Sequence, residues 1–279
     1  MDDPVAQEPV WWAVGASAVG AGHLRSDTPC QDAFGVRSLR GGGLIIASAD
    51  GAGSAARSAE GADCAVHALL DAMESAMDGT ASLDADWEST FHGAFGAARA
   101  AVERLAASGD DPLRAFATTL TCALAVGDRV AVAQIGDGLV VVEDESGQFA
   151  SVPADRPIRG EYVNETVFLT GRNGLDNIIL AEHAGDARAV VVSTDGLVRL
   201  AMELPAYRPF PGFLRPLLGF AASADDADAA ARRLTAFLSS DRVRDRTDDD
   251  TSLVLAVRRV PPKRDSSTLT AVDGQEPTS

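Results

Sequence analysis

Hydrophobic positions along this chain follow two periods, and the switches between them divide it into blocks. Val10 to Val19, rich in Val, Trp and Ala, predicts a first strand. Gly20 to Pro29 carries Gly, Ser, Asp and Pro and predicts a loop. Phe34 to Ser38 and Leu44 to Ala49 predict a hairpin across Gly41-Gly42-Gly43. The period then lengthens. Ala59, Ala62, Val66, Leu69, Met73 and Met77 recur at helical steps, and so do Trp87, Phe91, Phe95, Ala98, Val102 and Leu105. Each set draws one apolar stripe along a long helix, and its Met and aromatic residues read as core packing.

After Asp110-Asp111-Pro112 the pattern returns to strands. Thr119 to Val126 and Arg129 to Ile135 flank Gly127-Asp128, a two-residue turn of hairpin type. Leu139 to Glu143 and Gln148 to Val152 flank a tight turn at Asp144 to Gly147. Glu165 to Leu169, Ile178 to Glu182 and Ala189 to Ser193 predict further strands, and a short helix is expected after Asp195. Pro205 to Pro216, rich in proline and aromatics, predicts an irregular surface excursion. Ala227, Ala230, Leu234 and Phe237 mark another helix, and Leu253 to Val257 a final strand. Hairpins imply antiparallel sheets, and helices bunched between runs of strands imply an α+β fold. Residues 10–260 form one domain in this reading, between a flexible segment 1–9 and a disordered tail 261–279 with no periodicity.

Composition narrows the choice of partners. Of the 279 residues, 41 are Asp or Glu and 24 Lys or Arg, a net charge of −17 that disfavours nucleic acid and anionic lipid. No apolar run approaches the roughly 18 residues of a membrane span, and the acidic, polar Met1 to Pro9 does not resemble a secretion signal. A cytoplasmic location is the expectation. Cys30, Cys64 and Cys122 are odd in number and form no CxxC pair, which argues against a disulfide framework or zinc ribbon. Cys30 reads as an inert thiol in preference to a reactive one.

Several aspartates share one context. Asp50, Asp137 and Asp195 each follow an apolar strand and touch a glycine, and Asp248, Asp249 and Asp250 precede one. A strand end holds a ligand rigidly, and glycine lets a carbonyl approach a cation; hard cations such as Mg²⁺ and Mn²⁺ prefer such oxygens. A single Asp-Gly after a strand reads first as an ordinary turn, and several on strands that could share a sheet edge weaken that reading. Spacing by itself leaves both readings open and does not specify a reaction.

The motifs in order resemble the protein phosphatase 2C family, especially its bacterial branch with a Pro-Cys-Gln-Asp entry. Pro29-Cys30-Gln31-Asp32-Ala33 is similar to the first acidic motif, and Ala49-Asp50-Gly51-Ala52-Gly53 to Asp-Gly-x-Gly. Ala117-Thr118-Thr119-Leu120 resembles Gly-Thr-Thr-Leu, and Ile135-Gly136-Asp137 the Gly-Asp turn. Ser193-Thr194-Asp195-Gly196-Leu197 resembles Ser-x-Asp-Gly-Leu, and Asp249-Asp250-Thr251-Ser252 the terminal Asp-Asn-x-Thr. The resemblance implies a four-layer α-β-β-α sandwich, two antiparallel sheets face to face with helices outside. It implies a phosphoprotein phosphatase acting on phosphoserine and phosphothreonine with two Mn²⁺ or Mg²⁺ ions roughly 3.5–4 Å apart, whose bridging water attacks phosphorus. Asp50 would bridge both ions, the Gly51 carbonyl would help hold one, and Asp195 and Asp249 the other. Asp32 would act through metal-bound water. Asp137 would support an accessory third metal or the surrounding shell. Asp248 and Asp250 would be solvated neighbours whose removal matters little. A cognate serine/threonine kinase and a von Willebrand factor A domain protein are the partners this resemblance implies.

The chain departs from the family pattern in three places. Where relatives carry a phosphate-binding arginine it offers His23 and then Arg25, so either meets the phosphate or both are solvated. Ala52 replaces the animal-type general-acid histidine, which leaves that role to water or His23. Arg114 stands near the place of an accessory-metal acid, which argues against a third metal. Two other readings therefore stand beside the enzyme: a catalytically weak homologue that binds phosphoproteins as a regulatory module, and a metal-stabilised interaction protein. The intact set Asp50, Asp195 and Asp249 favours the enzyme.

Overall fold

The computed structural model describes residues 9–77, 83, 86–154 and 166–259. Its elements in order are β1 (Val10–Ala18), α1 (Ala21–Ser26), β2 (Asp32–Ser38), β3 (Leu44–Asp50), α2 (Ser58–Met77) and α3 (Trp87–Ser108). There follow β4 (Leu120–Val126), β5 (Arg129–Ile135), β6 (Leu139–Asp144), β7 (Phe149–Ser151), β8 (Ile179–His183) and β9 (Ala187–Ser193). The last part holds α4 (Val198–Ala201), β10 (Met202–Glu203), β11 (Arg208–Pro209), α5 (Pro211–Ser223), α6 (Ala227–Leu238), α7 (Asp241–Arg244) and β12 (Thr251–Arg259).

Two antiparallel five-stranded sheets, ordered β1-β12-β9-β6-β7 and β2-β3-β4-β5-β8, form the centre. Strand alternation sorts their side chains into layers. On β3, Leu44 and Ile46 face the other sheet, whereas Ile45, Ala47 and Ala49 face α2 and α3. On β12, Val254 and Ala256 point between the sheets, and Leu253, Leu255 and Val257 point toward α5 and α6. Three apolar layers thus separate four structural ones, and the α-β-β-α sandwich is the observed architecture.

The sequence reading needs amendment at three elements. Gly20 to Pro29 is not all loop: α1 lies inside it, a helix of six residues that buries no side chain and so writes no apolar stripe. Pro205 to Pro216 is not irregular: β10 and β11 pair there, and α5 starts at Pro211 and runs through Pro216. Proline at the first helical position costs little, and burial of Leu214, Leu217, Leu218 and Ala221 outweighs the amide missing at Pro216. In the expected strand Glu165 to Leu169, residues 166–169 make no ladder, and Glu165 lies outside the described residues. The proposed flexible segment, except residue 9, and the tail 261–279 also lie outside them.

Candidate metal centre and cleft

The acidic residues gather at one pole of the sandwich because the strands bearing them end or begin there. Asp32 opens β2 and pairs in register with Asp50, the last residue of β3. The backbone of Asp50 is held by the two residues that lead into β4: its amide donates to Thr119 Oγ1 at 2.9 Å, and its carbonyl accepts from Thr119 N at 2.9 Å and Thr118 Oγ1 at 3.0 Å. Both threonines are buried, which explains the Thr-Thr pair before that strand. Gly51 follows, its amide donating to Gln31 O at 3.1 Å. A Cβ there would lie 2.6 Å from that same carbonyl and 2.9 Å from Ser58 Cβ, so only glycine fits.

Asp137 occupies the turn from β5 to β6, beyond Gly136, whose φ of 100° suits glycine. Thr166 Oγ1 donates to Asp137 Oδ2 at 3.3 Å. Asp195 begins a single 3₁₀ turn after β9, and Gly196 packs directly on the Asp250 carbonyl with no room for a side chain. Asp50, Asp137 and Asp195 each place a carboxylate oxygen within 4.8 Å of the others.

These acids are poor company without a cation. Burial, reinforced by the charges of Asp32, Asp195, Asp249 and Asp250, pushes the Asp50 carboxyl up to about 9. Burial also raises Asp32 well above the carboxylate range; Thr194 Oγ1, donating to Asp32 Oδ2 at 2.7 Å, opposes that rise, and Asp250 and Asp249 add to it. Half-buried carboxylates converging on one point, pressed mainly by other acids, make an all-oxygen donor set that fits a hard divalent cation.

The remaining expected residues divide. Asp249 is exposed; it lines the same cleft as Asp137 and Asp195 but is not one of the three clustered acids. Asp250, expected to be solvated, is 2% exposed. It accepts from Gly20 N at 2.7 Å, Gln31 N at 2.6 Å and His23 Nδ1 at 2.9 Å. It therefore clamps both ends of the segment that leads from β1 to β2. Strand parity carried back from Val254 and Ala256 through Ser252 would have placed it between the sheets.

His23 lines the cleft with its side chain 21% exposed. Arg25 instead pairs with Asp248 at 2.9 Å, both well exposed, and neither Arg25 nor Arg114 lines the cleft. Burial and then the charges of Asp32 and Asp250 push the Cys30 thiol up to about 12, which disfavours the reactive thiolate. The cleft encloses about 680 Å³. Sequence reasoning did not single out Arg199 and Tyr207, which form part of its wall.

Comparison with known proteins agrees with this geometry. Residues 19–239 match the family model described as protein phosphatase 2C. The chain is 33% identical over 258 residues to serine/threonine-protein phosphatase 3 of Escherichia coli (strain K12), an alignment spanning 88% of this chain and 98% of that protein. Among solved structures, the S. agalactiae serine/threonine phosphatase gives TM-score 0.58 at 17% identity, covering 88% of this chain and 99% of that one. Serine/threonine phosphatase Stp1 from Staphylococcus aureus gives TM-score 0.57 at 13% identity, covering 92% and 98%. These structural likenesses speak for the fold. No helix among the described residues is long and apolar enough to cross a membrane.

Proposed function

The chain belongs to the protein phosphatase 2C family and is a metal-dependent serine/threonine protein phosphatase, and on that premise we propose which of its residues carry the reaction. Asp50, Asp137 and Asp195, with Asp249 and the Gly51 carbonyl beside them, would hold two Mn²⁺ or Mg²⁺ ions. Such ions supply a water of lowered pKa and positive charge to offset the phosphoryl oxygens.

The chain's own groups do the positioning. Thr118 and Thr119 fix the backbone of Asp50, so its carboxylate needs no reorganisation when substrate arrives. Thr194 orients Asp32 and in turn accepts from Ser252 N at 3.0 Å, which ties β2, β9 and β12 together at the site. Asp250 occupies His23 Nδ1, which leaves Nε2 as the ring atom able to hydrogen-bond a phosphoryl or leaving-group oxygen in the cleft. On this reading His23 meets the phosphate and Arg25, paired with Asp248, does not.

The proposal extends to setting. Three free cysteines suit a reducing compartment, here the cytoplasm. A cognate serine/threonine kinase would supply the phosphoprotein, and a von Willebrand factor A domain protein is the further partner we propose.

The observation that carries the site assignment is the convergence of three strand-end carboxylates within 4.8 Å. The test is hydrolysis of p-nitrophenyl phosphate and a phosphothreonine peptide with Mn²⁺, Mg²⁺ or chelator. Turnover should need added metal and stop with chelator. Full turnover by metal-free protein would overturn the assignment.

A further inference from the structure

Beside the cleft lies a second depression of about 390 Å³. Arg199, Arg242 and Arg246 line it, over apolar surface from Phe210 and Phe213, with Glu203 the only acid among the described lining residues. The three guanidinium groups make no hydrogen bond or ion pair to any described residue, and all three arginines are exposed. Phe210 is 41% exposed. This is a concentration of uncommitted positive charge on a chain whose net charge is −17.

Its position relates it to the reaction. Arg199 lines both the cleft and the groove. The β10–β11 hairpin stands between them: Leu204, Pro205 and Tyr207 face the cleft, and Met202 and Glu203 face the groove. The cleft and the groove therefore meet along a shared wall at Arg199.

We propose that this groove is a docking subsite for an acidic stretch of the phosphoprotein substrate, flanking the phosphorylated residue. The proposal rests on the phosphatase reading and names its substrate class. In the cleft Asp137, Asp195 and Asp249 are assigned to the cations and Arg199 is the one arginine or lysine among the described lining residues, so contact with flanking acids falls to the groove, where Arg242 and Arg246 join Arg199. Arginine suits that purpose, since its planar fork pairs carboxylates in two-point contacts, and the phenylalanines accept the aliphatic stems beside them.

The experiment compares two phosphothreonine peptides of equal length, one with Asp and Glu on both sides and one with Gly and Ser in those positions. The enzymes are wild type, R242E/R246E and the milder R242Q/R246Q; neither substituted residue lines the cleft. Wild type should favour the acidic peptide, and R242E/R246E should cut its kcat/KM roughly tenfold through KM. Turnover of p-nitrophenyl phosphate and of the neutral peptide should not change, and added salt should narrow the wild-type preference. Anisotropy of a labelled acidic peptide without phosphate reads the groove apart from catalysis, and its binding should weaken in the same order. Lost hydrolysis of every substrate with this binding intact would indict the phosphatase reading while supporting the groove. Equal kcat/KM for the two peptides in wild type, or an undiminished preference in R242E/R246E, would overturn the proposal. So would faster neutral-peptide turnover in R242E/R246E, which would mean that the groove takes an acidic segment of this chain instead.

Discussion

Asp250 gives the sharpest test of how the site is held. Its carboxylate is 2% exposed and accepts from two buried amides, Gly20 N and Gln31 N, and from the His23 ring. Alanine at this position strands both amides at about 1–3 kcal/mol each. Relief of repulsion on Asp32 and Asp50, both of which feel the Asp250 charge, offsets part of that loss. The net destabilisation should be about 2–4 kcal/mol, a large part of the roughly 5–15 kcal/mol of a typical domain. For a domain of this size it corresponds to a Tm lower by about 6–12 °C. Asparagine keeps one acceptor oxygen but turns an NH₂ toward one of the two amides, so it should lose about half as much. The assay is thermal and urea unfolding in chelator, which separates the clamp from any metal, followed by kinetics with metal restored. Loss of the tether on His23 should raise KM in both variants. A D250A protein that melts within about 2 °C of wild type would refute the clamp. Its KM, if unchanged, would refute the positioning of His23.

Three further predictions follow from the same pole. Asp195→Asn should cut turnover by orders of magnitude while the metal-free protein melts no lower than wild type, because one of three mutually repelling carboxylates is gone; a marked drop in metal-free Tm would contradict this. In chelator, stability should fall as pH rises from about 4 toward 9 and then level off. Asp50 keeps its proton in the fold up to about 9, whereas the unfolded chain releases it near 4, so unfolding releases a proton throughout that window. Melting curves at pH 5, 7 and 9 check it, and a Tm that climbs over this range would refute it. His23→Ala should raise KM several-fold, and Arg25→Ala, which removes an exposed pair with Asp248, should leave kinetics and Tm within error; the reverse ranking would reassign the phosphate contact.

Where the sequence was legible, one period of burial dominated. Leu44 to Ala49 and Val190 to Ser193 are buried on both faces because each strand is covered twice, and the aspartates beyond them mark where burial stops. Helix α1 was invisible because it buries nothing, and α5 because two prolines speak against a helix whose stability comes from packing. At the site, Asp50, Asp137 and Asp195 could be picked out from motif and position, but their convergence depends on the registers of β3 with β4, β4 with β5 and β6 with β9, and on the turn after β5. Three successive acids at 248–250 carry no local sign of which one is buried. Only the partners Gly20, His23 and Gln31, more than 200 residues away in sequence, separate Asp250 from its neighbours.

The pairing of β1 with β12 has a consequence for engineering. Val10 lies directly opposite Arg259, whereas Ala18 and Thr251, at the other end of the same ladder, border the acidic pole. Nine residues of strand put about 30 Å between these ends. The hairpin turns at Gly42, Gly127 and Gly147 close at the remote end too, where Trp11 N and Nε1 bond the carbonyls of Gly42 and Gly127. Reporter domains fused before Val10 or after Arg259 would therefore emerge side by side, away from the cleft mouth. A short linker joining those two positions would make β12 and β1 a hairpin, and the chain could be reopened at Gly41 or Gly127 without severing any strand that carries one of the clustered aspartates.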